Sequence, residues 1–321
     1  MRAGRDCPLD YRLPTAAFTG EPLFDCQSLY VVGGLYGNRQ ALAALDKRLA
    51  AEPQARVVFN GDAHWFDRDP AIFQEIEQGL SAHLAFRGNV ESELGRLDDS
   101  GAGCGCAYPA SVDDALVERS NAIQAELKQT VQRLPGLAER LAARPATALV
   151  SVGGQRVAIS HGDERSLAGW SCAREALTAP ERQQQLDQWL AANRVRVLAT
   201  SHTCTAVALN LHYGALINNG AAGLPNFAGG RYGLVSRIAS TPHPAALYRC
   251  QREGLFIEAL PLNYAHDAFL ADFDRQWPAR SPAAQSYRSR ILGTCADQPR
   301  QAVLAGFSLC QSLGALEALD P

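Results

Sequence analysis

Residues Ala55–Asp67 read ARVVFNGDAHWFD, and this run decides the fold. The β-branched and aromatic stretch Val57-Val58-Phe59 stops abruptly at Asn60-Gly61-Asp62. An apolar run ending in a polar corner with a glycine predicts a buried strand that delivers a carboxylate to one edge of a sheet. In open α/β sheets that edge is where ligands bind.

Outward from this run the same grammar repeats. Upstream, Leu29-Tyr30-Val31-Val32 is a strand ending in Gly33-Gly34-Leu35-Tyr36-Gly37-Asn38. A helix follows with Leu42, Leu45 and Leu49 on one face and Asn38 as its cap. Downstream, a helix over 71–79 precedes the strand Leu84-Ala85-Phe86, which ends at Arg87-Gly88-Asn89-Val90-Glu91. Strands alternating with helices, each strand closing on a glycine corner, predict an α/β architecture of doubly wound type. The alternation breaks over 98–145. That segment opens with a Gly/Cys loop and continues into a helix carrying Ile123, Leu127, Val131 and Leu134 on one face. It reads as a helical insert or lid.

Strand character resumes at 148–152 and turns back at Gly153-Gly154, a hairpin signal. Val157-Ala158-Ile159-Ser160 leads to His161-Gly162-Asp163, and the strand 195–200 leads to Ser201-His202-Thr203-Cys204. Short strands at 215–218, 233–238, 246–249 and 255–260 read as one antiparallel sheet. Residues 1–27 read as an extended N-terminal arm, 28–262 as the main domain, and 263–321 as a helical C-terminal extension. Helices there are expected over Phe269–Trp277, 283–292 and 301–316.

Composition limits the function classes. The chain has 321 residues, 47% hydrophobic and 20% charged, with a net charge of −3. Nothing in that balance indicates a nucleic-acid or membrane partner. Nine scattered cysteines, with no apolar leader, read as reduced thiols of a cytoplasmic protein. Cys104-Gly105-Cys106 is the one tight pair.

The polar residues at the strand ends form a set: Asp62, Asn89, His161 and His202. One carboxylate, one amide and two imidazoles are metal-ligating types. In order along the chain, Gly33–Asn38, Gly61-Asp62, Gly88-Asn89, Ser160-His161-Gly162, Ser201-His202-Thr203-Cys204 and Asn218-Asn219-Gly220 resemble the five motifs and closing turn of the calcineurin-like metallophosphoesterase superfamily. The resemblance covers roughly 29–260, the insert excepted. It implies a two-sheet α/β sandwich with flanking helices, and a two-metal site at the strand ends.

The departures are specific. The first-motif Asp falls on Gly34, its His on Tyr36, and the last His of the fifth motif on Cys204. The ligand set of one metal therefore carries over as Asp62, Asn89, His161 and His202, and that of the other does not. Val90 stands where the family has its usual general acid. His64, two residues beyond Asp62, is expected either to act as general acid or to help rebuild the second metal position, with Cys204 as a further ligand. Cys104 and Cys106 are alternatives from the insert. Arg87, Asn38 and Tyr36 are candidate substrate-binding residues.

The resemblance implies a metal-dependent hydrolase of a phosphoester or related bond, with a metal-activated water as nucleophile and a small phosphorylated molecule as substrate. The cofactor expected is one or two divalent or transition metal ions per chain: zinc, iron or manganese. A homo-oligomer through the C-terminal helices is an expectation. The alternative is a non-catalytic metal- or ligand-binding scaffold of the same fold, for which the retromer subunit is the family precedent. Thiol-based chemistry through Cys104, Cys106 and Cys204 is a third reading.

Overall fold

The computed structural model describes residues 1–98 and 100–310. Thirteen strands form two sheets among the described residues. In chain order the strands are β1 Asp25–Cys26, β2 Ser28–Val32, β3 Arg56–Asn60, β4 Leu84–Phe86, β5 Thr147–Val152, β6 Gln155–Ser160, β7 Val197–Thr200, β8 Val207–Asn210, β9 Ala215–Asn218, β10 Gly233–Ala239, β11 Tyr248–Arg252, β12 Leu255–Leu262 and β13 Ser308–Leu309. One sheet runs β1-β5-β6-β7-β9-β8 and the other β13-β11-β12-β10-β2-β3-β4.

Parallel strands form the centre of the chemistry. β2, β3 and β4 are parallel to one another, as are β6, β7 and β9. β2 is buried at all five positions, which is why it reads as a continuous apolar run rather than an alternating one. Between the sheets, Val31, Val58, Ile238 and Ile257 of one face meet Val150, Ile159, Val197 and Ile217 of the other in a single core. The outer faces are covered by helices: α1 Arg39–Ala50 and α2 Pro70–Leu80 on one side, α6 Pro180–Asn193 on the other. α1 begins where the Asn38 side chain accepts the Ala41 N–H at 2.8 Å. α2 begins with Asp69 as cap and Pro70 in its first turn.

The insert contributes α4 Asp114–Gln132 and α5 Leu137–Ala142, beyond the short α3 Asn89–Leu94. With α7 His266–Gln276 and α8 Pro282–Ile291 they build a separate apolar cluster around Tyr36, Trp65, Phe66 and Trp277. A short α9, Pro299–Ala302, completes the helices of the described residues.

The two-sheet sandwich with flanking helices is as expected. Three details differ. The strand at 215–218 (β9) does not join the antiparallel group; it pairs with parallel β7 and with β8, a strand the sequence reading missed. The helix expected over 301–316 ends at Ala302, because residues 308–309 pair with β11 instead; 311–316 lie outside the described residues. β1 was also missed: two residues carry too little pattern to be seen.

The C-terminal strand ends are tied together by amides. Asn60 Nδ2 donates to the Ser160 carbonyl and to Ser201 Oγ, each at 2.9 Å. Ser201 Oγ donates to Asn219 Oδ1 at 2.9 Å, and Asn219 Nδ2 donates to the carbonyls of Gly33 and Leu234 at 2.9 Å. This chain crosses from one sheet to the other directly beneath the motifs. Gly33 is required for it: a Cβ there would lie 1.9 Å from Ser201 Oγ and 2.2 Å from Ser201 Cβ. Gly33→Ala should therefore cost about 2–4 kcal/mol, read as a lower urea midpoint with unchanged slope. Gly20→Ala, where the added Cβ meets nothing within 4 Å, should leave the midpoint unmoved.

Candidate metal centre

Asp62 follows β3, Asn89 follows β4, His161 follows β6 and His202 follows β7. Four strands drawn from both sheets thus bring four polar side chains to one edge. All are buried, none more than 5% exposed. Among the described residues, Asp62, His161 and His202 bring ligand atoms within 4.8 Å of one another.

The proton positions decide what this cluster is. His161 Nδ1 lies 2.7 Å from the Asn60 carbonyl and must donate to it. Its Nε2 then faces Asp62 Oδ2 at 3.3 Å, Asn89 Oδ1 at 3.2 Å and His202 Nδ1 at 3.2 Å. His202 Nε2 donates to the Cys106 carbonyl at 3.0 Å, which leaves Nδ1 with its lone pair facing inward. Asn89 Nδ2 donates to the Cys104 carbonyl at 2.9 Å, which fixes Oδ1 inward. Four lone-pair atoms converge, and each outward hydrogen is already used. With His161 neutral such a group is repulsive; a proton on its Nε2 or a metal ion among the four atoms relieves it. Imidazoles held by a second hydrogen bond on the far nitrogen are the usual state of metal-ligating histidines.

The protonation tendencies agree. Burial drives the His202 pKa down to about 3, with the neighbouring His161 ring adding to the effect. Burial also opposes charge on Asp62 and His161, yet the attraction between them outweighs it: Asp62 is lowered and His161 raised. A proton on His161 Nε2 is thus what a metal ion would displace. The donor set fits zinc, iron or manganese.

Three residues here hold positive φ without being glycine: Tyr36 at 58°, Asp62 at 54° and Cys204 at 54°. Each costs about 1–3 kcal/mol and clusters of such residues mark functional sites. What holds Asp62 in place is Glu91, which the sequence reading did not single out. Its buried carboxylate accepts the N–H groups of Asp62 at 2.9 Å, Ala63 at 2.8 Å and Gly88 at 2.8 Å. The signal was present: Glu91 stands three residues after Gly88, the spacing of a capping box.

Several expected site residues lie elsewhere. His64 does not enter the cluster. Its Nδ1 is 2.5 Å from Asp67, its Nε2 is 2.8 Å from Glu77, and its ring stacks on Phe73 at 3.6 Å. The two carboxylates outweigh burial and raise its pKa to about 9, so it is a buried cation of the core and has no free nitrogen for catalysis. Arg87 donates to the carbonyls of Ala142 and Arg144 and ties the insert to β4. Asn38 is buried and spends its amide on the Ala41 N–H and the Gly223 carbonyl. The thiols of Cys104 and Cys106 are not among the converging atoms; their backbone carbonyls orient Asn89 and His202, and the Cys106 thiol is a second acceptor for Asn89 Nδ2 at 3.4 Å.

Tyr36 and Cys204 stand beside Asp62. The Tyr36 hydroxyl lies 2.6 Å from Cys204 Sγ. A Cβ on Gly34 would fall 2.8 Å from the Tyr36 ring, so the ring fills the space a side chain at 34 would use. Burial pushes the Tyr36 hydroxyl and the Cys204 thiol up in pKa, which keeps both protonated. Cys204 Sγ is outside the converging group.

Comparisons with known proteins bear on the fold. No family model matches the sequence, and no curated protein matches it. Solved structures do match. A hypothetical protein from Pyrococcus horikoshii superposes with a TM-score of 0.55 at 14% identity, covering 80% of this chain and 96% of that one. A metallophosphoesterase from Sphaerobacter thermophilus superposes with a TM-score of 0.51 at 14% identity, covering 83% and 99%. The chain has the metallophosphoesterase fold. Among its described residues no helix is long and apolar enough to cross a membrane.

Two substitutions test the supports. Glu91→Gln keeps the volume and weakens the acceptor. It should lower zinc or cobalt affinity ten- to a hundredfold in calorimetric titration, the usual cost of losing such a support. Glu77, between His64 and Arg144, has its pKa lowered to about 2 because those cations outweigh burial. Its stabilisation is complete above its ordinary pKa of 4.5 and is lost as pH falls towards 2. Glu77→Gln should be less stable at pH 6 by on the order of 2 kcal/mol. It should also lose less stability than the parent between pH 4.5 and 2 in chemical denaturation.

Proposed function

We propose that this chain is a metal-dependent hydrolase of a phosphoester or related bond, working with one metal ion held by Asp62, Asn89, His161 and His202. The convergence of four lone-pair atoms with every outward hydrogen already donated is the observation that carries the reading. Such an ion would supply a nucleophilic water at neutral pH and offset charge on a phosphoryl oxygen.

The remaining work falls to the chain's own residues. Beside Asp62, Tyr36 and Cys204 are neutral and hydrogen-bonded to each other, and the Cys204 thiol also donates to the His202 carbonyl at 3.3 Å, so the pair offers a hydrogen to substrate only by leaving these partners. In this reading they hydrogen-bond a phosphoryl oxygen. Arg290, which donates to the Cys204 carbonyl at 3.1 Å, keeps a positive charge near that position. With Val90 in place of a histidine and both His64 nitrogens engaged, the described residues place no imidazole acid near the leaving group. That favours substrates with good leaving groups, such as aryl or anhydride esters. Trp170 donates to the Cys106 carbonyl at 2.9 Å and stands 5.4 Å from the His202 ring, so it excludes water from the cluster.

The cover supports a second reading, a metal-stabilised scaffold without turnover. The Cys104–Cys106 segment bonds directly to Asn89 and His202, and substrate would have to displace it. Elemental analysis of protein purified without chelator should find one equivalent of transition metal, lost in Asp62→Ala and in His161→Ala. An aryl phosphate monoester or diester should be hydrolysed by the parent and not by Asp62→Ala. Metal without turnover selects the scaffold; no metal in the parent removes both readings. Tyr36→Phe should retain the metal and lower kcat about ten- to a hundredfold if its hydroxyl meets the transition state.

A further inference from the structure

An open surface pocket of about 550 Å³ lies well away from the metal cluster, at the far end of α1. The Asn38 end of α1 adjoins the strand-end motifs, and twelve helical residues put its other end roughly 18 Å away. Lys47, Arg48, Glu52, Arg237, Thr241 and His243 supply the polar lining, and Ala44, Ala51 and Leu262 the apolar part.

The charges here do not cancel. Arg237 is spent on Glu52 and Glu258, at 2.6 and 2.9 Å. Arg249 shares Glu258. That leaves Lys47 and Arg48 with no carboxylate of their own among the described residues, an excess of two positive charges. The C-terminus of α1 offsets about half a charge at most. Arg48 is the informative one. Its Nη2 donates to the Pro261 carbonyl at 2.6 Å, while its buried Nη1 has no partner. The Tyr30 hydroxyl and the attraction of Glu52 also act on this guanidinium, so its charge is only partly offset. His243 registers the same field. Its Nδ1 accepts the Ala245 N–H at 3.1 Å, so Nε2 carries the hydrogen. Burial together with Arg48 and Arg237 holds its pKa down to about 4.

We propose that this pocket binds a small phosphorylated molecule, with Arg48 and Lys47 as its anion contacts. A phosphomonoester carries about −1.5 to −2 at neutral pH, which matches the excess of two; a single carboxylate does not. The volume is within the 300–1,000 Å³ range of small-molecule sites, and the alanines and Leu262 leave room for an apolar portion. Nothing in this site depends on the metal cluster or on hydrolysis.

The test uses the full chain freed of metal by chelator, titrated calorimetrically with inorganic phosphate and with a nucleoside monophosphate, against chloride at matched ionic strength. Saturable binding at about 1 mM or tighter is expected. It should weaken at least tenfold in Arg48→Met and in Lys47→Met, and be unchanged in Asp62→Ala. Lys47 is exposed, so Lys47→Met decides the matter if Arg48→Met does not fold. Binding no greater than chloride produces would overturn the proposal. So would phosphate binding that survives both pocket substitutions and disappears in Asp62→Ala, since the anion would then be at the strand ends.

Discussion

Acceptor atoms that face one another inside a protein need a positive charge between them, and this requirement orders the site. His161 Nε2, His202 Nδ1, Asn89 Oδ1 and Asp62 Oδ2 approach within 3.2–3.3 Å through His161. Much of the surrounding structure turns hydrogens away from that point. The Asn60 carbonyl takes one from His161, and the carbonyls of Cys106 and Cys104 take those of His202 and Asn89. Glu91 holds the backbone that carries Asp62. Beneath them the Asn60–Ser201–Asn219 chain keeps the ends of the two sheets in register. Each support is itself buried and hydrogen-bonded, so a loss at one point is transmitted to the ligand atoms.

The insert has two physical roles in this arrangement. Its helices α4 and α5 extend the core around Trp65, Phe66 and Trp277. Its opening loop seals the cluster, and the N-terminal arm seals the loop: the Gly4 N–H donates to the Ala102 carbonyl at 2.7 Å, and Tyr11 donates to Glu93 at 2.7 Å. Tyr36 packs beside Asp62 and hydrogen-bonds Cys204.

Much of this was legible residue by residue. Asp62, Asn89, His161 and His202 each end an apolar strand, and that pattern placed them at one edge. His64 was expected at the site because it stands two residues beyond Asp62, and the backbone turns it away. Asp62 adopts a positive φ of 54°, and two residues later the side chain points at α2 and stacks on Phe73. Glu91 was overlooked because a carboxylate inside a helix start looks like surface. Cys104 and Cys106 drew attention for their thiols, whereas their carbonyls orient the ligands, and a sequence displays no sign of what a carbonyl will bond.

By itself the sequence determined the type and order of the groups: apolar strands, glycine corners, two imidazoles, an amide and a carboxylate, with Gly34, Tyr36 and Cys204 at the three motif positions where the resemblance implies further ligands. Those are local facts, carried by side-chain chemistry and spacing. Which of these groups meet was decided only by the tertiary structure. Convergence depends on strands far apart in the chain, on backbone carbonyls supplied by an insert, and on the direction in which each ring nitrogen gives its proton. None of these has a period or a motif, because each is fixed by contacts between segments about a hundred residues apart, as Asn60 is from His161.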